Sequence, residues 1–275
     1  MTNTDSAGTS NNPRVTIVTV AFNAVASIEQ TIQSVLNLTY DNLEYVIIDG
    51  GSTDGTVEII KRYASQIDFW ISERDRGIYD GMNKGVRKAT GEWINFMNCG
   101  DRFLDEAALN FFNGQTFDAD LLYGDALIQY PGFQTLYVKT PLNSMWKRMP
   151  FCHQATFTRT ALMRQFPFDL EYKLSSDFDF IYKMYLANRR FREVHRVICL
   201  FDFTEGASIK HVFRSGTERK QIVLAHSFSI VKWAYHTLAI GYIYLTVYFK
   251  KLGGPRLTAF LTRLLRQKDA SAGGQ

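Results

Sequence analysis

The first hundred residues alternate short apolar runs with helical patterns, and this alternation restricts the fold more than any other feature. Arg14 to Val20 is a β-branched run bounded by Pro13 and Asn23. Leu43 to Asp49, Asp68 to Ser72 and Glu92 to Met97 repeat that character. Between them, Ser27-Ile28-Glu29-Gln30 reads as a capping box opening a helix to about Asn37. Thr56 to Ala64 and Ile78 to Ala89 supply two more helices. Such a βαβαβαβ order predicts a parallel sheet covered on both faces, with right-handed crossovers.

After Asp101 the pattern changes. Asp120 to Tyr130 and Gln134 to Lys139 flank Pro131-Gly132 and read as antiparallel additions. Phe151 to Thr158 and Phe191 to Leu200 are further strand candidates. Ser176 to Ala187 is a helix, because Phe178, Ile181, Tyr182, Tyr185 and Leu186 share one face. From Val212 onward the chain reads as helices.

Composition narrows the classes of function. Hydrophobic residues are 46% of the 275 and charged ones 21%, enough core for a folded domain and too little charge for a disordered chain. Met1 to Asn12 is polar, small and without an apolar run, so a cytosolic start is expected. Cys99, Cys152 and Cys199 show neither zinc nor disulfide spacing and read as reduced thiols. The net charge is +4, but six basic residues against Asp269 put +5 in residues 250–275 and leave the rest near −1. A near-neutral body argues against a nucleic-acid partner, and the basic tail points to an anionic surface.

Open α/β sheets bind ligands beyond the carboxyl ends of their strands. Asp49 and Asp101 both follow strand ends and are expected to share one crevice. Asp49 there either reads a base edge or ribose hydroxyl, or caps the turn after it. Gly50 to Gly55 has G-x-x-x-x-G spacing, but Thr56 stands where a Walker lysine belongs, and no G-x-G-x-x-G follows the first strand. Asp101 either meets a divalent cation on a diphosphate or caps the next helix. Asp177 and Asp179 open a helix, where the dipole favours acids, and lie about 200° apart around it, so one of them alone faces a cleft. The pair either serves the helix dipole alone or supplies a general base for a hydroxyl. Within Ser72 to Gly85, Asp80, Asn83 and Lys84 share a helical neighbourhood; they form a solvated face or, with Arg74 and Arg76, meet phosphate. His153 is a phosphate or metal contact or a structural imidazole.

Taken in order, these residues resemble the family 2 glycosyltransferases. Val15 to Asn23 is similar to that family's first strand and nucleoside-contacting turn, which implies donor contacts at Phe22 and Asn23. Ile47 to Thr56 is similar to the motif whose first Asp reads the base, which implies Asp49 with Ser52 and Asp54 nearby. Gly91 to Asp101 occupies the place of the D-x-D metal motif and implies Mg2+ or Mn2+ at Asp101. Ser176 to Asp179 stands where the family keeps its E-D base motif, which implies Asp177 as base. Gly77 to Gly85 and Cys152 to Phe157 resemble a bacterial subgroup building O-antigen, capsule or exopolysaccharide, and Asp80, Asn83, Lys84 and His153 are carried as donor-binding positions. The resemblance covers about Arg14 to Ser208.

It implies an α/β, Rossmann-like GT-A mixed sheet flanked by helices, with residues 1–13 a disordered N-terminus, 14–210 the catalytic domain and 211–275 a C-terminal helical appendage. The activity implied is metal-dependent, inverting transfer of one sugar from a nucleoside-diphosphate sugar, UDP first, to a lipid-linked or oligosaccharide hydroxyl. Two departures stand out: Asn98 and Gly100 replace acids of the metal motif, and Ser176 replaces the Glu of the E-D pair. The processive Q-x-x-R-W signature is absent. Two other readings are a GT-A-fold nucleotide-sugar binder without turnover, favoured by the thin metal motif, and a sugar-phosphate nucleotidyltransferase. The latter's Gly-rich, Arg-bearing loop is replaced here by Asn23-Ala24-Val25-Ala26.

Trp233 to Phe249 is uncharged for 17 residues, about 25 Å of helix and short of a bilayer core. Leu257, Phe260, Leu261, Leu264 and Leu265 form an apolar stripe opposite Arg256, Arg263 and Arg266. That is the pattern of a basic amphipathic helix lying in a membrane surface, so a peripheral location on the inner face of the cell membrane is expected.

Overall fold

The computed structural model describes residues 12–203 and 211–245. Nine strands form one mixed sheet: β1 Val15–Ala21, β2 Leu43–Asp49, β3 Phe69–Ser72, β4 Trp93–Phe96, β5 Arg102–Phe103, β6 Leu121–Tyr130, β7 Phe133–Leu136, β8 Thr156–Arg159 and β9 Phe191–Asp202. The order is β3-β2-β1-β4-β8-β6-β9-β5, with β7 paired to β6. Strands β1 to β4 are mutually parallel where they pair. β8 runs antiparallel between β4 and β6, and β9 returns parallel to β6. The helices are α1 Ile28–Leu36, α2 Thr56–Arg62, α3 Ile78–Lys88, α4 Thr160–Gln165, α5 Ser176–Leu186, α6 Val212–His226 and α7, residues 230–245. The fold is mixed α/β, a mixed sheet flanked by helices.

Every residue of β1 is buried, as its uninterrupted apolar and threonine run requires of a strand covered on both faces. α3 lies against it closely because of two glycines one turn apart. A methyl group at Gly81 would stand 2.6 Å from Val20, and one at Gly85 2.4 Å from Val18. The core continues into an aromatic cluster in which Trp93, fully buried, packs on Phe112 and Phe117 beneath the Arg159 guanidinium.

Several local expectations are corrected. The capping box does not form: Ser27 makes no side-chain cap, and Gln30 Oε1 accepts from Arg102 Nη1 at 3.2 Å. The amides of Ser27 and Ile28 both turn back to the Ala24 carbonyl, which starts the helix without a side-chain cap. Phe151 to Ala155 is not strand, and His153–Ala155 is a single 3-10 turn. Asn95 Nδ2 sets this by gripping the carbonyls of Gln154 and Thr156, both at 2.8 Å. β7 stops at Leu136, and beyond it Lys139 turns to Asp125 and Glu193. The two-residue β5 and the six-residue α4 lie below the length at which a periodic pattern can be read.

The chain divides into two compact units, residues 1–209 and 210–275. In the second, α6 and α7 form a helical hairpin: Phe213 stacks on Tyr244 at 4.2 Å, and Lys220 Nζ donates to Thr237 Oγ1 at 2.8 Å beside the Trp233 ring. No helix of the described residues is long and apolar enough to cross a membrane. The stripe from Leu257 to Leu265 and residues 1–11 lie outside the described residues.

Candidate active site

The candidate site begins at the carboxyl ends of β1, β2 and β3, where Ala21, Asp49 and Ser72 stand side by side in register. Asp49 is buried, and its carboxylate closes the following turn. Oδ2 accepts from the amides of Gly51 and Ser52 at 3.1 and 2.9 Å and from Ser72 Oγ at 2.6 Å; Oδ1 accepts from Ser52 Oγ at 2.5 Å. Four bonds nearly fill what a carboxylate can accept, so turn-capping is the role this geometry displays.

The turn so fixed is laced to the end of β1. Asn23, in the left-handed region at φ 47°, gives its amide to Ser52 Oγ at 2.8 Å and accepts from the Thr53 amide at 3.0 Å. Asn tolerates that conformation better than most residues because its short side chain bonds locally. Asp54 takes the amides of Val25 and Thr56, both at 3.0 Å. Burial pushes the Asp54 carboxyl up, but Thr56 and these amides outweigh it, and the group is held below its ordinary range. Phe22, 62% exposed, is left on the rim as an open aromatic face. Phe22, Asn23, Asp49, Ser52 and Asp54 are therefore brought together.

Asp101 follows β4, two residues after Cys99. Burial, then the charges of Asp101, Asp49 and Asp54, push the Cys99 thiol up. Asp101 itself is only 5% exposed. Its Oδ1 accepts from the Asp202 amide at 3.0 Å, and Gln154 bonds its side chain. Burial drives its carboxyl up to about 8, against those two bonds and with the help of the Asp202 carboxylate. A buried acid leaning to its neutral form, already bonded to protein, is a poor ligand for Mg2+ or Mn2+, which bind through ionised oxygens. The described residues hold no cluster of three His, Cys, Asp or Glu that could supply more ligands. Asn98 Oδ1, buried and without a hydrogen bond among the described residues, is the one further oxygen of the motif. Among the described residues these side chains do not compose a metal site of their own.

Asp177 lies in the first turn of α5, half-buried, and Oδ1 accepts from the Tyr79 hydroxyl at 2.8 Å. Asp179 is buried, with Oδ2 on Lys183 Nζ at 2.6 Å. One acid of the pair faces outward and the other inward, as the 200° separation requires. Ser176 is fully buried and its Oγ has no hydrogen bond among the described residues, so a glutamate there would bury a charge. His153 stacks on Phe96 at 5.8 Å and 17° and meets Phe168 edge-on. Burial pushes its pKa down against the pull of Asp177, so the ring is neutral at neutral pH and not a cation for phosphate.

The α3 positions are engaged with the protein. Asp80 accepts from the Arg76 amide at 3.1 Å and pairs its guanidinium; burial raises its carboxyl, but Arg76 and Lys84 outweigh that and hold it low. Asn83 is bonded to the Phe168 backbone, and Lys84 to Glu73 and the Arg74 carbonyl. Two residues enter that the sequence did not mark. Tyr79 is one. Asp75 is the other: its carboxylate lies over Gly50 and Gly81, within 2.5 and 3.3 Å of where their Cβ atoms would stand. The missing side chain at Gly50, beside a strand-end Asp, was the available signal.

Comparison with known proteins agrees with this fold. The model of the family described as Glycosyl transferase family 2 matches residues 16–163. A PGL/p-HBAD biosynthesis glycosyltransferase of Mycobacterium bovis (BCG Pasteur) is 31% identical over 175 residues, 61% of this chain and 68% of that one. An uncharacterized glycosyltransferase of Mycobacterium tuberculosis is 27% identical over 201 residues, 70% and 76% of the two chains. The expected O-antigen and exopolysaccharide subgroup is not what these relatives name. Among solved structures, S. aureus TarS 1–349 in complex with UDP-GlcNAc aligns at a TM-score of 0.60 with 17% identity, covering 86% of this chain and 73% of that one. Mannosyltransferase PcManGT from Pyrobaculum calidifontis, in complex with GDP-Man and Mn2+, aligns at 0.59 with 17% identity, covering 95% and 81%. The family match spans more than half of the sequence, and the chain is a glycosyltransferase belonging to glycosyl transferase family 2.

Proposed function

We propose that this enzyme moves a single sugar from a nucleoside-diphosphate sugar, UDP in the first instance, to a hydroxyl of a lipid-linked or oligosaccharide acceptor in cell-surface glycan synthesis, inverting the anomeric centre. The observation that carries the reading is Asp177: a half-exposed carboxylate at a helix start, with one oxygen held by the Tyr79 hydroxyl. Neighbours in complex with UDP-GlcNAc and GDP-Man support the donor class, and a relative named for PGL/p-HBAD biosynthesis is consistent with transfer in a biosynthetic pathway.

The donor's base lies by Phe22, with Asp49 holding the turn and Asp75 offering acceptor oxygens to ribose or base. Arg76 and Lys84 are paired to Asp80 and Glu73. Arg74, exposed and packed by its backbone on Gly51, is the cation we assign to the diphosphate. Asp177 takes the acceptor proton as that oxygen attacks the anomeric carbon; the bond to the diphosphate breaks and its electron pair leaves with the phosphate. One displacement inverts the centre, and the paired carboxylates of a hydrolase are not needed. Asp177→Asn should abolish transfer while nucleotide binding by calorimetry persists; unchanged turnover would rule out the base.

A binder without turnover is the second reading, favoured by the enclosed Asp101. Donor hydrolysis and transfer assays, with and without Mn2+, separate the two. We place the enzyme on the inner membrane surface. Support comes from α7, where Val231, Tyr235, Leu238, Tyr242 and Leu245 recur at spacings of four and three and are all exposed, the pattern of one apolar helix face.

A further inference from the structure

We propose that Tyr79 is the positioning residue of the transfer step: its hydroxyl holds Asp177 Oδ1 so that Oδ2 alone is turned to the acceptor hydroxyl. This rests on the reading of Asp177 as base. The contact joins two helix starts 98 residues apart, the first turn of α3 and the first turn of α5, at 2.8 Å. Tyr79 is 7% exposed and its ring lies on Phe168 at 5.4 Å. Phe168 is in turn pinned by Asn83 and packed against Phe96 and Phe180. The hydroxyl is therefore delivered by a ring that cannot swing. Phenylalanine would fill the same space; only the oxygen reaches the acid.

A lone carboxylate turns readily about its last torsion, a broad two-fold well. One fixed donor limits that freedom and leaves Oδ2 for the proton. From other elements, Tyr79 on α3 bonds Asp177, and the charge of Asp177 reaches His153 in the turn before β8. Asp179 and Lys183, on its own helix, pair with each other. His153 is neutral and makes no ion pair with Asp177, so the carboxylate's charge stays available to the acceptor proton.

The test is Tyr79→Phe, with 3-fluorotyrosine at position 79 as a conservative second variant that keeps the shape and strengthens the donor. The donor is chosen from UDP-, GDP- and dTDP-sugars by slow hydrolysis, water standing in for the acceptor. Removing a hydrogen bond to a carboxylate disfavours its charged form. Tyr79→Phe should lower kcat about tenfold or more, leave the donor KM within about twofold, and move the acidic limb of the rate profile to higher pH. Fluorotyrosine should move that limb to lower pH. In parallel, 13C NMR of the Asp177 side chain, assigned with Asp177→Asn, should show the same displacements without any substrate. An unmoved titration and rate profile, or a loss of kcat with no shift in the limb, would overturn the proposal. Full turnover in Asp177→Asn would instead overturn the base assignment and leave the tyrosine contact standing as structure.

Discussion

Asn83 spends its whole carboxamide on one residue: Nδ2 donates to the Phe168 carbonyl and Oδ1 accepts from the Phe168 amide, both at 2.9 Å. A side chain on α3 thus pairs with a loop as a neighbouring strand would. That loop carries the ring against which Tyr79, Phe96 and His153 pack, so the pairing fixes the floor beneath Asp177.

Asn83→Ala leaves both backbone groups of Phe168 buried and unpaired. The expected cost is about 2–3 kcal/mol, since each orphaned group loses its bond without regaining water. The melting temperature should fall by about 5 °C or more, and kcat should fall with it while nucleotide affinity is kept. Differential scanning calorimetry and steady-state kinetics check this. A phosphate-contacting Asn83 would show the reverse, lost affinity with an unchanged melting point.

Asp101 yields a pH prediction. Its carboxyl titrates at an ordinary 3.8 in the unfolded chain and at about 8 when folded. Between those values the folded state binds the extra proton, so its contribution to stability is full below pH 4 and is lost as pH rises through 8. Asp101→Asn mimics the neutral acid and can still accept from the Asp202 amide. Its melting temperature should equal or exceed the native protein's at pH 8 and vary less from pH 5 to 8. A cation ligand would behave differently: the variant would lose donor binding that Mn2+ had strengthened, as calorimetry with and without chelator would show.

The sheet was legible because each buried strand is a continuous apolar run and each crossover helix keeps its period. Asp49, Asn23, Ser52 and Asp54 were legible as a group because strand ends converge by topology. What they bond was not: the sequence cannot tell an acid that reads a base from one that closes its own turn, and the Asp49 carboxylate is occupied by Gly51, Ser52 and Ser72. The partners of Asn83 and Lys84 were hidden for a related reason. Helical spacing places them near each other but does not say that Phe168, 85 residues later, arrives to take up the amide. Tyr79 went unmarked because its partner is 98 residues away.

Asp75 should matter for donor affinity more than for chemistry. Its Oδ1 accepts from the Gly77 amide at 2.9 Å, while Oδ2 lies over Gly50. Asp75→Asn should raise the donor KM about tenfold with kcat within about twofold, the signature of binding shared by ground and transition states. Gly50→Ala should do the same by displacing that carboxylate. Both are read by initial rates across donor concentration, and a normal KM in both would remove Asp75 from the site.

The exposed row on α7 bears on where the enzyme works. Leu238 lies in the middle of it, between Tyr235 and Tyr242. Burying one leucine in the headgroup region contributes about 2 kcal/mol, and a charge there costs more. Leu238→Glu should therefore weaken binding to phosphatidylglycerol-containing vesicles about tenfold or more in a flotation assay. Turnover of a soluble donor should be unaffected. The basic residues 250–275 add an electrostatic part, so raising salt should weaken binding of both proteins and leave the difference between them. If native protein stays in the soluble fraction at low salt, or if Leu238→Glu floats as well as the native chain, the apolar row is not a membrane face.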